Sequence, residues 1–233
     1  MRLSPDEIAL FTLGPWTVNA TLVFSWLIMA LLLGASWLVT RGLLAGGGMG
    51  RGQNAPEALV AFLHEQIHEV TQQDPRPYLP FVGTLFLFIV TSNVLSVVPG
   101  FEAPTGSLST AAALALCVFV AVPAFGVAKV GVRAYLANYL RPSPWLLPFT
   151  IFGELSRTLA LAVRLFGNVM SGGVIAAILL SIAPMLFPVV MQAFGLIIGV
   201  IQAYIFAVLS IVYIASGTEL QERRERARAK EST

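Results

Sequence analysis

Five long apolar stretches dominate this sequence and restrict the folds that it can adopt. A helix needs about 20 mostly apolar residues to cross the hydrocarbon core of a bilayer. Only 11% of the residues are charged, whereas about 25% is usual in soluble domains. We therefore expect an all-α membrane protein, one domain over 1–233, with about five membrane helices and one surface helix. The spans are 18–40, 79–98, 108–128, 149–183 and 185–216, the last two long enough to form a tilted hairpin.

Basic residues outside these stretches are unevenly distributed, and this predicts the orientation of the chain. If every stretch crosses, residues 41–78, 129–148 and 217–233 share one side and carry three, three and five basic residues. The opposite side has Arg2 alone. The positive-inside rule assigns the richer side to the cytoplasm. The sequence thus predicts an external N-terminus at 1–17 and a cytoplasmic tail at 217–233.

Residues 54–73 have a different pattern, because apolar side chains recur there at helical spacing. Leu59, Leu63 and Ile67 fall on one helical face, and the acidic residues and histidines lie largely elsewhere. This pattern is typical of an amphipathic helix that lies on the cytoplasmic surface of the membrane.

The same segment contains HEQIH, from His64 to His68, which fits the H-E-x-x-H motif of zinc proteases. A catalytic zinc normally takes three protein ligands, and these are the two histidines of the chain. An intramembrane zinc protease is therefore one alternative. A polar helix face explains the motif better, so we expect no metal site.

Arg164 lies near the middle of the fourth stretch, where a charge needs a partner. An arginine at the bilayer centre costs about 2.5–3.5 kcal/mol on insertion scales. Glu154 is about 15 Å away along a helix, and its spacing suits Arg157 better. Asn168 and Ser171 extend a polar stripe on the face of both arginines. The pattern predicts a partner for Arg164 on another chain.

Two segments carry a family resemblance, SRTLALAVRLFGNVMSGG at 156–173 and IQAYIFAVLSIVYIA at 201–215. They resemble the last two helices of subunit a of F-type ATP synthases, and the likeness extends over nearly the whole chain. The pattern GELSRTLALAVRLFGN at 153–168 is most similar to the N-type group of bacterial F-ATPases, several of which are thought to move Na⁺.

The resemblance implies a stator subunit in a bacterial cytoplasmic membrane, with two ion half-channels set against the rotating c-ring. The implied partners are the c-ring, the peripheral-stalk b subunits, the rest of the F1Fo complex and membrane lipid. It implies no nucleic acid, bound nucleotide, cofactor or catalysis by this chain alone. The implied c-ring interface is Arg164, Asn168 and Gln202. The half-channel candidates are Glu154, Arg157, Ser171, Ser107, Ser109, Asn93 and Tyr213.

The identity of the transported ion and one further class of protein stay open at this point. Family members often carry ionisable groups where this chain has Gly173, Gly195 and the loop PTGSLST. The sequence is therefore compatible with either H⁺ or Na⁺. A self-contained ion transporter is the second alternative. It would usually show internal repeats with matched broken helices, and the sequence has no clear repeat.

Overall fold

Long helices account for most of the chain in the computed structural model. The structure describes residues 9–13, 16–44, 51–72, 74–98, 100–133, 135, 145, 147–182 and 187–231. The predicted all-α membrane fold is confirmed, and a short 3-10 turn at Pro104–Gly106 precedes the fourth helix. The helices are α1 (Ala20–Leu44), α2 (Arg51–Thr71), α3 (Leu79–Leu95), α4 (Leu108–Val130), α5 (Leu147–Ile182) and α6 (Phe187–Glu231).

Four helices of the described chain are long and apolar enough to cross a membrane. They contain the segments Ala20–Arg41, Leu108–Lys129, Pro148–Leu179 and Val189–Ser216. Helix α3 is shorter, because a turn follows Leu95 within the predicted span 79–98. Helix α5 has 36 residues, so it is about 54 Å long at a rise of 1.5 Å per residue. That length exceeds the roughly 30 Å hydrocarbon core, and a tilted α5 would accommodate it.

The two ends of the chain differ from the sequence-based boundaries. Strands β1 (Ala9–Leu13) and β2 (Trp16–Asn19) form an antiparallel hairpin. Because β2 extends to Asn19, helix α1 begins at Ala20 and not at the predicted residue 18. At the other end, helix α6 continues without a break through the predicted tail to Glu231.

The hydrophobic core lies between α3, α4, α5 and α6, and α2 covers one side of it. Helix α2 buries Leu63 and Ile67 in this core, as its amphipathic pattern predicts. Helix α1 packs against α3 at the edge of the bundle and leaves large apolar side chains such as Trp26 and Leu33 exposed. The core therefore fixes α5 and α6 as a pair, and these two helices carry most of the candidate residues.

Candidate functional site

Arg164 lies on the outer flank of α5, away from the core. The next residue, Leu165, is fully buried, and so is Leu161 one turn earlier. Arg164 itself is exposed, and its apolar neighbour Val163 is 60% exposed. Within the described part of the chain, no ion pair includes Arg164. A permanent charge on an exposed apolar flank is costly without a partner, and the described residues do not supply one.

The polar stripe predicted on α5 is present on this same flank. Arg157 and Ser171 are exposed, and Asn168 is half-buried. The Ser171 hydroxyl donates a hydrogen bond to the backbone carbonyl of Asn168 at 3.2 Å. From Arg157 to Ser171 the stripe extends over about 21 Å of helix, with Arg164 at its middle.

The contact between Arg157 and Tyr213 indicates how α5 is aligned with α6. The guanidinium carbon of Arg157 lies 5.7 Å from the centroid of the Tyr213 ring. Asn168 is eleven residues after Arg157, and Gln202 is eleven residues before Tyr213. Because these packed helices run in opposite directions, Gln202 lies at the level of Asn168, one turn beyond Arg164.

Gln202 is a buried polar side chain on α6. It is 6% exposed, and its Nε2 has no hydrogen-bond partner among the described residues. A buried amide donor without an acceptor costs about 1–3 kcal/mol. Such a group is expected at a functional position, because it is not explained by packing alone.

A buried polar cluster links α3, the 3-10 turn and α6 one turn before Gln202. The Asn93 amide Nδ2 donates to the Gly199 carbonyl at 3.0 Å, and the Thr105 hydroxyl donates to Asn93 Oδ1 at 3.3 Å. The hydroxyls of Ser92 and Thr105 are 3.3 Å apart. All three side chains are buried. We call Ser92, Asn93 and Thr105, with the Gly199 carbonyl, the buried polar cluster.

Two glycines allow the close approach of these elements. A Cβ added at Gly199 would lie 2.8 Å from the Cβ of Asn93. A Cβ added at Gly106 would lie 3.1 Å from a methyl carbon of Val169, which follows Asn168 on α5. The 3-10 turn therefore joins the buried polar cluster to the part of α5 that follows Asn168.

Ser107 and Ser109 are both used in the N-terminal cap of α4. Ser107 is buried, and its Oγ accepts a hydrogen bond from the Ser109 backbone N–H at 3.2 Å. The two hydroxyl oxygens are 2.6 Å apart. Capping is a structural role, and it places both hydroxyls next to the 3-10 turn that carries Thr105.

The candidate residues thus form two polar groups, one on each side of Arg164 along the α5–α6 pair. One side has Glu154, which is half-buried, with Arg157 and Tyr213. The other side has Gln202 and the buried polar cluster around Asn93. One group includes Tyr213 of α6 and the other includes Gln202 of α6. Arg164 lies between the two groups on α5.

The HEQIH segment is divided between the two faces of α2. Ile67 is buried, and the Gln66 side-chain oxygen accepts a hydrogen bond from the Tyr204 hydroxyl on α6. His64 and His68 are exposed. Across the described ranges, no group of three His, Cys, Asp or Glu side chains is arranged to hold a metal. The segment fits a surface helix anchored to α6 better than a zinc site.

The sequence alone did not predict the roles of Ser92 and Thr105 or the pairing of Gln66 with Tyr204. Ser92 and Thr105 are both polar residues close to candidates, since the first directly precedes Asn93 and the second lies two residues before Ser107. Their joint burial depends on contacts between residues far apart in the chain, such as Asn93 with Gly199. No local pattern reports such a contact.

Comparison with known proteins gives matches that extend over nearly the entire chain. A family model described as ATP synthase A chain matches residues 22–215. ATP synthase subunit a 2 of Acaryochloris marina is 56% identical over 222 residues, which cover 95% of this chain and 95% of the relative. ATP synthase subunit a 1 of Chlorobaculum parvum is 54% identical, with coverage of 96% and 99%. ATP synthase subunit a of Albidiferax ferrireducens is 55% identical, with coverage of 94% and 94%.

Proposed function

Because this chain belongs to the ATP synthase A chain family, we propose that Arg164 is the fixed charge that faces the c-ring of an F-type ATP synthase. The family resemblance predicted from the RLFGN segment is confirmed. The chain is a multi-pass membrane protein and a stator subunit of the Fo sector. Neither an intramembrane protease nor a self-contained transporter is favoured by these relatives.

The single observation that supports the role of Arg164 is its exposure on an apolar flank without an ion pair in the described chain. A carboxylate on a c subunit is neutral when it carries its ion, so it can then face lipid. Once the ion leaves, the carboxylate is an anion, and Arg164 offers it a counter-charge. The same positive charge repels an arriving cation, so ions cannot pass directly between the two half-channels.

The two polar groups on either side of Arg164 supply the half-channels in this proposal. The side with Asn93, Ser107, Ser109 and Gln202 forms the outer half-channel. The side with Glu154, Arg157 and Tyr213 forms the inner one. An ion that enters one half-channel must travel with the ring to reach the other. One elementary charge that moves through 100 mV releases about 2.3 kcal/mol, and several such steps drive one synthesis event.

The surroundings of the chain follow from the same assignment. The c-ring covers the apolar flank of α5 around Arg164, and peripheral-stalk b subunits and lipid cover other exposed helix faces. The N-terminus lies outside, and the C-terminal end of α6 lies in the cytoplasm of a bacterium. The chain itself binds no nucleotide and breaks no bond, because ATP is handled by the F1 sector.

The test is ATP-driven ion uptake by vesicles that contain the whole F1Fo complex. Arg164→Gln and Arg164→Lys should each abolish uptake while the complex still assembles, because neither side chain reproduces the charge and the fork of a guanidinium. Arg76→Gln is a matched control, because Arg76 is an exposed arginine that is not part of the site. Its Nε lies 4.0 Å from the carboxylate of Asp74.

Uptake is recorded with a pH-sensitive dye and, in parallel, with radioactive Na⁺, so the assay also identifies the transported ion. Normal uptake of either ion in the Arg164→Gln complex would contradict the assignment. Loss of the complex from the membrane would instead require a second substitution at this position that restores assembly before uptake is compared.

A further inference from the structure

Arg157 is a second arginine on the exposed stripe of α5, and the structure holds its guanidinium over the ring of Tyr213. The distance from the guanidinium carbon to the ring centroid is 5.7 Å, within the range of about 6 Å for a cation–π contact. Tyr213 is half-buried and packs against the hydrophobic core. The core therefore fixes the ring, and the ring in turn restrains an otherwise exposed arginine.

This restraint matters because Arg157 and Arg164 share one helical face. They are seven residues apart, which is about 10.5 Å along the helix axis. Arginine stays protonated at any physiological pH, so both guanidinium groups are permanent charges. A flexible arginine side chain next to Arg164 would be a competing partner for the anionic carboxylate of a passing c subunit.

We propose that Tyr213 is a positioning residue that holds Arg157 against α6, so that Arg164 alone is presented to the c-ring carboxylate. This proposal rests on the proposed function, in which Arg164 is the counter-charge. The guanidinium of Arg157 then keeps its charge near the inner half-channel but does not bind the carboxylate of a passing c subunit. The same contact ties α5 to α6 on that side of Arg164, as the buried polar cluster ties α3 to α6 on the other.

The chemistry of the contact indicates which substitutions preserve it. A cation is attracted to the negative face of an aromatic ring, and the hydroxyl of tyrosine is not required. Phenylalanine and tryptophan both offer such a face, whereas leucine fills much of the volume without one. Ring-face attraction is therefore separable from packing in one set of variants.

The experiment compares Tyr213→Phe, Tyr213→Trp, Tyr213→Leu, Arg157→Gln and the double variant Arg157→Gln/Tyr213→Leu in the whole F1Fo complex. The readout is the initial rate of ATP-driven ion uptake, divided by the amount of assembled complex. We expect Tyr213→Leu to be roughly 3- to 10-fold slower than Tyr213→Phe, in line with the strength of a partly desolvated cation–π contact.

The uptake rate of the double variant distinguishes positioning of Arg157 from a purely structural role of Tyr213. If Tyr213 acts by restraining Arg157, removal of Arg157 makes the loss of the ring harmless. The double variant should then pump as fast as Arg157→Gln alone and faster than Tyr213→Leu. A rate equal to the product of the two single losses would overturn the proposal, and so would a Tyr213→Phe rate as low as that of Tyr213→Leu.

Failure here is distinguishable from failure of the proposed function. Full uptake by the Arg164→Gln complex would show that Arg164 is not the counter-charge, whatever the variants of Tyr213 do. If Arg164→Gln abolishes uptake and the double variant shows multiplied losses, Arg164 keeps its role and the positioning by Tyr213 is wrong.

Discussion

Replacing Gly199 by alanine tests how closely α3 and α6 must approach each other. The added Cβ would lie 2.8 Å from Asn93 Cβ, 2.9 Å from its Cγ and 3.0 Å from its Nδ2. Carbon atoms normally pack at about 3.5–4.0 Å, so the contact is at least ~0.7 Å too short. Asn93 cannot avoid it by changing rotamer, because its Cβ is fixed to the α3 backbone. The two helices must therefore move apart.

The energetic cost follows from the two interactions that this separation disturbs. Overpacking a well-packed interior costs about 1–3 kcal/mol. Weakening the bond from Asn93 Nδ2 to the Gly199 carbonyl, 3.0 Å in the native structure, leaves buried polar groups unpaired at about 1–3 kcal/mol. The better helix propensity of alanine returns about 1 kcal/mol. We expect a net destabilisation of roughly 1–5 kcal/mol from these terms.

Gly195 on the same helix is the matched control. It forms a G-x-x-x-G motif with Gly199, but in the described chain a Cβ at Gly195 would meet no atom within 4 Å. The assay is the thermal midpoint of the detergent-solubilised complex, followed by loss of this subunit, together with ion uptake in vesicles. Gly199→Ala should lower the midpoint and Gly195→Ala should not. Equal midpoints for the two variants would refute the close-packing argument.

Four further substitutions test other features of the structure. Tyr204→Phe removes the hydroxyl that donates to Gln66 and should destabilise the packing of α2 on α6 by about 1 kcal/mol; faster proteolysis within α2 is the measurement, and unchanged proteolysis would show that Leu63 and Ile67 suffice. His64→Ala and His68→Ala should leave ion uptake within about two-fold of the native rate, because exposed surface changes usually cost little; loss of uptake together with a stoichiometric zinc ion would revive the protease alternative. Gly106→Ala should slow uptake, since its Cβ would lie 3.1 Å from Val169; native uptake and stability would mean that Val169 can move aside.

The helices of this fold were predictable from hydropathy, because the bilayer sets their minimum length. The predicted span 108–128 differs by two residues from α4, and the amphipathic pattern around Leu63 and Ile67 identified the buried face of α2. The hairpin before α1 was not predicted. Its two strands are short and lie in an apolar background, so the pairing of Phe11 with Val18 has no distinct sequence pattern.

The site was predictable only where one helix carries the pattern. The stripe that includes Arg157, Arg164 and Asn168 follows from helical spacing alone. The contacts of Asn93 with Gly199 and of Arg157 with Tyr213 join residues that are far apart in sequence. They depend on how α3 and α5 dock on α6, which is decided by the packing of the whole core.

The uncovered charge on α5 also has a consequence for the synthesis of the complex. In the proposed arrangement the c-ring covers that flank, and until it does, a newly inserted copy carries Arg164 exposed among apolar neighbours such as Val163. Binding to a partner stabilises only the assembled population, so a surplus copy lacks that contribution and is the better substrate for membrane proteases. In the proposed arrangement, the residue that faces the c-ring would also make the lifetime of the subunit depend on stoichiometry, and cells would dispose of unmatched copies by quality control.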